Sequence, residues 1–223
     1  METNKNHLRY ITFLAGFSAL SYLSASFIAI PLFSSFLKYE PKDVLIVLGG
    51  YIFGPLFSVL VSFIAPFFEM IIPIGIGGSS GIIGFAFNVI AALAFCLPTV
   101  IFYKHKKTYK SMIEGLVIST ILVTIIMLMW NYFLTPYFGG YSKAAVSKIL
   151  FPAILPFNLI KGALNSFIII LIYKPVMNAL IKSNIIEPED IQLNNNNRIS
   201  EYLILAIICF SIIFLILAVK NIL

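Results

Sequence analysis

Charge is what this sequence has least of. Of its 223 residues only 11% are charged and 60% are hydrophobic. A soluble domain carries about 25% charged residues, so a water-soluble globular class is excluded. Acids are scarcer still: 9 Asp and Glu against 15 Lys and Arg, for a net charge of +6. On a soluble surface that excess would suggest a nucleic-acid partner. Here the lysines cluster in short segments between apolar runs, where they set membrane topology. Histidine occurs at His7 and His105, both in basic segments flanking apolar runs. Cysteine occurs at Cys96 and Cys209, both inside such runs. No metal constellation and no disulfide framework follow, and the thiols read as inert core. The apolar runs hold no paired carboxylates, no nucleophile with a base, and no inverted repeat. A membrane enzyme or a self-sufficient transporter therefore has little support.

Long apolar runs are what the chain has in abundance. A helix needs ~20 apolar residues to cross a bilayer core. The pattern predicts spans at about 8–32, 44–53, 56–72, 82–103, 112–134 and 151–173, with a further run at 202–219. The first run is too long for a signal-peptide core and lacks a clean small-residue cleavage site. Spans two and three are separated by Gly54-Pro55, which predicts a helix break. Phe33 to Lys42 reads as a short polar loop, with Asp43 as a candidate cap for the next helix. Glu69, near the end of span three, reads as an interfacial carboxylate in contact with water. The expected fold is an all-α polytopic membrane bundle. Its core is 1–182, followed by a polar linker at 183–200 carrying Asn194 to Asn197, and an additional C-terminal transmembrane helix at 201–223.

The glycine-rich stretch from Pro73 to Gly84 invites a phosphate-loop reading. It fails, because no Lys-Ser or Lys-Thr follows the glycines and no strand precedes them. A loop over a pocket, or a plain turn, remains. Asn88, in span four, is either a ligand group or a bond to a neighbouring helix. Asn131 follows Trp130 and is open to a purely interfacial reading.

One stretch stands out. Asn158, Lys161 and Asn165 lie inside an apolar run at spacings of three and four, so a helix gathers them into one polar stripe. A lysine at mid-membrane costs ~2.5–3.5 kcal/mol on insertion scales and is normally paired or set against a cavity. The competing reading is a lysine that snorkels to the interface. Pro156, just upstream, has no N–H to give and can free a carbonyl.

Orientation follows from the lysines. With Lys5 and Arg9 inside, Lys104, Lys106, Lys107 and Lys110 also fall inside, as do Lys174 and Lys182. The expected location is the cell membrane, multi-pass, with a cytoplasmic N-terminus. The Lys161 stripe then lies in the outer half of its span.

Several motifs recur in order along residues 8 to 182. They are Leu37-Lys38-Tyr39 with Asp43-Val44, Phe53-Gly54-Pro55-Leu56, Asn131-Tyr132 with Pro136-Tyr137, and Ile154 to Gly162, reading ILPFNLIKG. In these the chain resembles the riboflavin-specific substrate-binding (S) subunits of energy-coupling factor (ECF) transporters. The resemblance implies a six-helix membrane protein that captures riboflavin from outside and hydrolyses no ATP itself. It implies docking on a transmembrane coupling protein that carries two ATPase subunits. By the same resemblance, Asn131, Asn158 and Lys161 contact substrate, with Leu37, Tyr39, Gly84 and Asn88 contributing from the first outer loop and the start of span four. Ala15 and Ala19, a small-xxx-small pair, map onto the docking surface. Riboflavin is transported substrate, and no cofactor is implied. Span three departs from related sequences, which carry polar residues where this chain has Ser62, Ala65 and Pro66. That departure keeps a second ligand in view, a flavin nucleotide (FMN) or another vitamin. The C-terminal helix is a second departure.

Overall fold

The computed structural model describes residues 2–34, 37–75, 81–138 and 142–185. Residues 76–80 of the glycine-rich stretch, nearly all of the linker, Cys209 and the run at 202–219 lie outside the described residues. The elements are α1 (Glu2–Phe27), β1 (Ile30–Ser34), β2 (Leu37–Tyr39), α2 (Lys42–Phe53), α3 (Pro55–Ile71), α4 (Gly81–Lys106), α5 (Tyr109–Phe138), α6 (Lys143–Ile149), a π-helical turn (Leu150–Ile154) and α7 (Leu155–Lys182). Among the described residues, four stretches are long and apolar enough to cross a membrane: His7–Phe27, Gly81–Lys106, Tyr109–Tyr137 and Lys143–Lys182.

Helices α2 and α3 have 12 and 17 residues. At 1.5 Å per residue they reach about 18 and 26 Å, each short of a ~30 Å hydrocarbon core. The expected break joins them. Gly54 sits at φ 101°, a region open to glycine, and Pro55 starts α3 with the φ a first turn wants. The chain reverses there. Ser58 Oγ donates to the Ile46 carbonyl at 3.0 Å, and the start of α2 meets the end of α3 through Lys42 and Glu69. This close packing needs missing side chains. A Cβ on Gly49 would lie 2.5 Å from Phe57, and one on Gly50 would lie 2.4 Å from Val100.

The core runs along the bundle axis and includes Val47, Phe57, Phe95, Met112, Leu116 and Ile169. Large apolar side chains also point outward in rows, such as Ile118, Ile121 and Ile125 on α5. Their spacing of three and four puts them on one helix face, and lipid is the solvent that such a face suits.

Three expectations change. The segment read as a polar loop is a two-stranded antiparallel hairpin, pairing Ile30 with Tyr39 and Pro31 with Lys38. The first helix accordingly ends at Phe27 and not at Leu32. The stretch before span six is largely helical: α5 runs on to Phe138, and α6 with its π turn leads into α7 at Leu155. Prolines at 152 and 156 interrupt the ordinary ladder there, and the π turn absorbs the mismatch.

Candidate functional site

The first turn of α2 is the hub. Pro41 precedes the helix, and no side chain caps it. Asp43, expected as a cap, instead turns its carboxylate inward. Asp43 Oδ2 lies 3.3 Å from Lys161 Nζ on α7 and accepts from Asn165 Nδ2 at 3.1 Å. Its place in the first turn also sets a negative charge at the positive end of the helix dipole. The neighbouring residue serves a second cluster. Lys42, 0% exposed, donates to Glu69 Oε1 and Oε2 at 2.9 and 2.8 Å and pairs with Glu40 Oε2 at 2.8 Å. Asn88 Nδ2 on α4 donates to Glu69 Oε2 at 3.2 Å. Adjacent residues of one helix thus bind the hairpin end, α3, α4 and α7 together.

The water-contact reading of Glu69 is overturned, since it is 1% exposed. The reason is the first turn of α2, whose Lys42 covers the carboxylate together with Asn88 of α4. A buried ion pair is stable only when its remaining hydrogen-bonding capacity is filled. Glu69 meets that condition with three donors.

Beside the first cluster, that of Asp43, Lys161 and Asn165, is a small cavity of about 10 Å³, room for about one water. Asp43, Asn158, Lys161 and Asn165 make its polar wall; Phe95 and Val123 face them. Asn158 is set by its own amide, which donates to the Ile154 carbonyl of the π turn at 2.8 Å. Gly162 lets α7 approach α5, because a Cβ there would lie 2.7 Å from Thr120 Cγ2. Two acceptors of the polar wall, Asp43 Oδ1 and Asn165 Oδ1, are buried without a hydrogen-bond partner among the described residues, and so is the Tyr39 hydroxyl. Burial, aided by the Asp43 charge, pushes the Tyr39 pKa up, so this hydroxyl keeps its proton and remains a donor.

The family model for the substrate-specific component of ECF transporters matches residues 9–173. The chain belongs to that family. As an ECF substrate-specific component it is a multi-pass membrane transport subunit and not an enzyme. Curated relatives include the riboflavin transporter RibU of Staphylococcus aureus, 32% identical over 157 residues, 68% of this chain and 80% of that protein. Another is the riboflavin transporter RibU of Streptococcus thermophilus, 30% identical over 187 residues, 81% of this chain and 87% of that protein. A solved S component of a bacterial ECF transporter superposes with a TM-score of 0.65 at 30% identity. The match covers 78% of this chain and 98% of that one.

In this S component the residues singled out by sequence part company. Asn158 and Lys161 line the cavity. Asn88 is half-buried and engaged by Glu69. Tyr39 is buried at the end of the hairpin, and Leu37 is half-buried on the same strand. Gly84 is half-buried in the first turn of α4, away from the cavity lining. Asn131 also lies outside the lining, its amide donating to the Met127 carbonyl at 2.8 Å and its oxygen accepting from Thr135. Ala15 and Ala19 are exposed on α1, and the position a Cβ would take on Gly16 between them is open. Glu40, Lys42 and Asp43 were not singled out as site residues. Their only signal was three ionisable residues within four positions at the mouth of a span.

Proposed function

We propose that this S component captures riboflavin. The reading is carried by its similarity, over most of its length, to relatives named as riboflavin transporters. The site chemistry supports it. Riboflavin is a neutral, flat heterocycle with a polar edge and a hydroxylated side chain. Amide and ammonium groups on one wall and Phe95 and Val123 on the other suit such a molecule. Asn158 and Lys161 are the proposed contacts from this wall. Leu37, Tyr39, Gly84, Asn88 and Asn131 are proposed as further contacts on the strength of the resemblance alone.

The N-terminus is cytoplasmic in this reading, because Arg9, Lys104, Lys106, Lys110 and Lys182 collect at the end opposite the cavity. The cavity then faces outward. Ala15 and Ala19 present a flat strip on which a transmembrane coupling protein, with its two ATPase subunits, would pack. FMN is the less favoured ligand. Its phosphate needs cations, whereas Lys42 and Lys161 are both already held by carboxylates.

The test is a titration of riboflavin into the purified full chain, following emission from Trp130, the sole tryptophan. Riboflavin should quench it, and FMN should compete poorly. Unchanged emission, together with no retained yellow ligand, would overturn the proposal.

A further inference from the structure

The orphaned acceptors of the cavity wall carry more than the choice of vitamin. Asp43 Oδ2 already serves Lys161 and Asn165, while Oδ1 of the same carboxylate has no partner. Asn165 spends its amide N–H on Asp43 and leaves its oxygen unsatisfied. Both side chains are at least nine-tenths buried, at 2% and 1% exposure, and both line the cavity. Buried acceptors are almost always paired, and an unpaired one needs an explanation. Water would fit one place at a time in a hollow of about 10 Å³.

The geometry points to Asp43, with Asn165 beside it, as a specificity-determining contact that accepts a hydrogen bond from an N–H or O–H of the bound substrate. This rests on the flavin reading above and says which part of such a ligand is recognised. A carboxylate acceptor in a dry wall selects sharply. A ligand that presents a donor satisfies the orphaned oxygen, and one that presents a methyl group or an anion leaves it buried and unpaired. Asp43 therefore does two jobs with its two oxygens: one positions Lys161, and the other reads the ligand. Flavins offer two sources of donors, the ring imide N–H and the side-chain hydroxyls. The chemistry required is the same, and the ligand series separates them.

The experiment measures dissociation constants on the full chain by Trp130 quenching for three ligands. They are riboflavin, its N3-methyl derivative (no ring N–H) and lumiflavin (no side-chain hydroxyls). Wild type should lose at least tenfold for at least one analogue. In Asp43→Asn the penalty for that analogue should fall below threefold, because the group that read the donor has changed; such non-additivity marks direct contact. Asn165→Leu, which removes only the second acceptor and its tie to Asp43, should shrink the same penalty. The wild-type series alone decides if neither variant folds. Equal affinity for all three ligands in wild type would overturn the inference while leaving the flavin reading intact. Equal weakening of all three by both variants would also overturn it, reducing Asp43 to a support for Lys161. Wild type that binds none of them would overturn the flavin reading itself.

Discussion

Two buried polar regions sit at opposite ends of this bundle, and they are built on opposite rules. At one end, two lysines and three carboxylates interlock with Asn88 and Asn165 around the first turn of α2. At the other, Tyr51, Tyr103 and Tyr173 converge, with Tyr103 and Tyr173 joined through their hydroxyls at 2.8 Å and the Tyr51 and Tyr103 rings 4.2 Å apart between centroids. The tyrosine end is neutral and closed by ring packing, and it leaves the Tyr51 hydroxyl without a hydrogen-bond partner among the described residues. The charged end keeps orphaned acceptors and a cavity. Neutral rings seal a bundle cheaply, since each hides its polar atom behind an apolar body. Charges in the same place demand partners. The end that carries them is therefore the end where we propose that the ligand is handled.

The contrast can be broken or sharpened by substitution. The largest effect should come from Lys42→Met. It leaves Glu40 and Glu69 buried and uncompensated, and roughly 3–5 kcal/mol should be lost. Thermal unfolding in detergent would read this, and adding Glu69→Gln should recover part of it. Next is Lys161→Ala, expected to weaken riboflavin at least about tenfold, or ~1.4 kcal/mol; the unfolding temperature should fall too, because Asp43 is left buried without its ammonium, but by less than in Lys42→Met, which uncovers two carboxylates. Unchanged affinity would remove Lys161 from the site. Tyr103→Phe, at the other end, leaves the Tyr173 hydroxyl without its partner and should cost about 1 kcal/mol of stability. Riboflavin affinity should stay the same; a loss there would erase the distinction between the two ends. Smallest of all, Lys110→Ala breaks an exposed pair with Glu114 at 3.7 Å. It should change stability by less than about 0.5 kcal/mol.

How much of this was legible follows from where partners lie in the chain. The polar stripe on α7 could be read because Asn158, Lys161 and Asn165 are three and four apart within one helix. The reversal at Gly54-Pro55 was equally local. The other half of the site was not. Glu69 meets a lysine 27 residues away, and Asn165 meets Asp43 across 122 residues. Nothing local says that Lys42 and Asn88 will close over the end of α3, so a carboxylate there looks wet. Asp43 shows the same limit from the other side. A helix-start aspartate reads as a cap, and only tertiary packing turns it toward α7. Asn131 is a different case: its position beside Trp130 allowed a purely interfacial reading, the resemblance alone marked it as a substrate contact, and its amide donates to the Met127 carbonyl of its own helix.

The narrowness of the chamber between Lys161 and Phe95 has a kinetic meaning. A hollow of about 10 Å³ is far smaller than a three-ring heterocycle. A flavin bound at the proposed site needs these walls to part, which would make capture a gated step and not a simple collision. Measured affinity is then the intrinsic affinity scaled by the share of molecules standing open. Residues remote from the vitamin, such as the glycines that let α2, α3 and α4 press together, can tune uptake by altering that share alone.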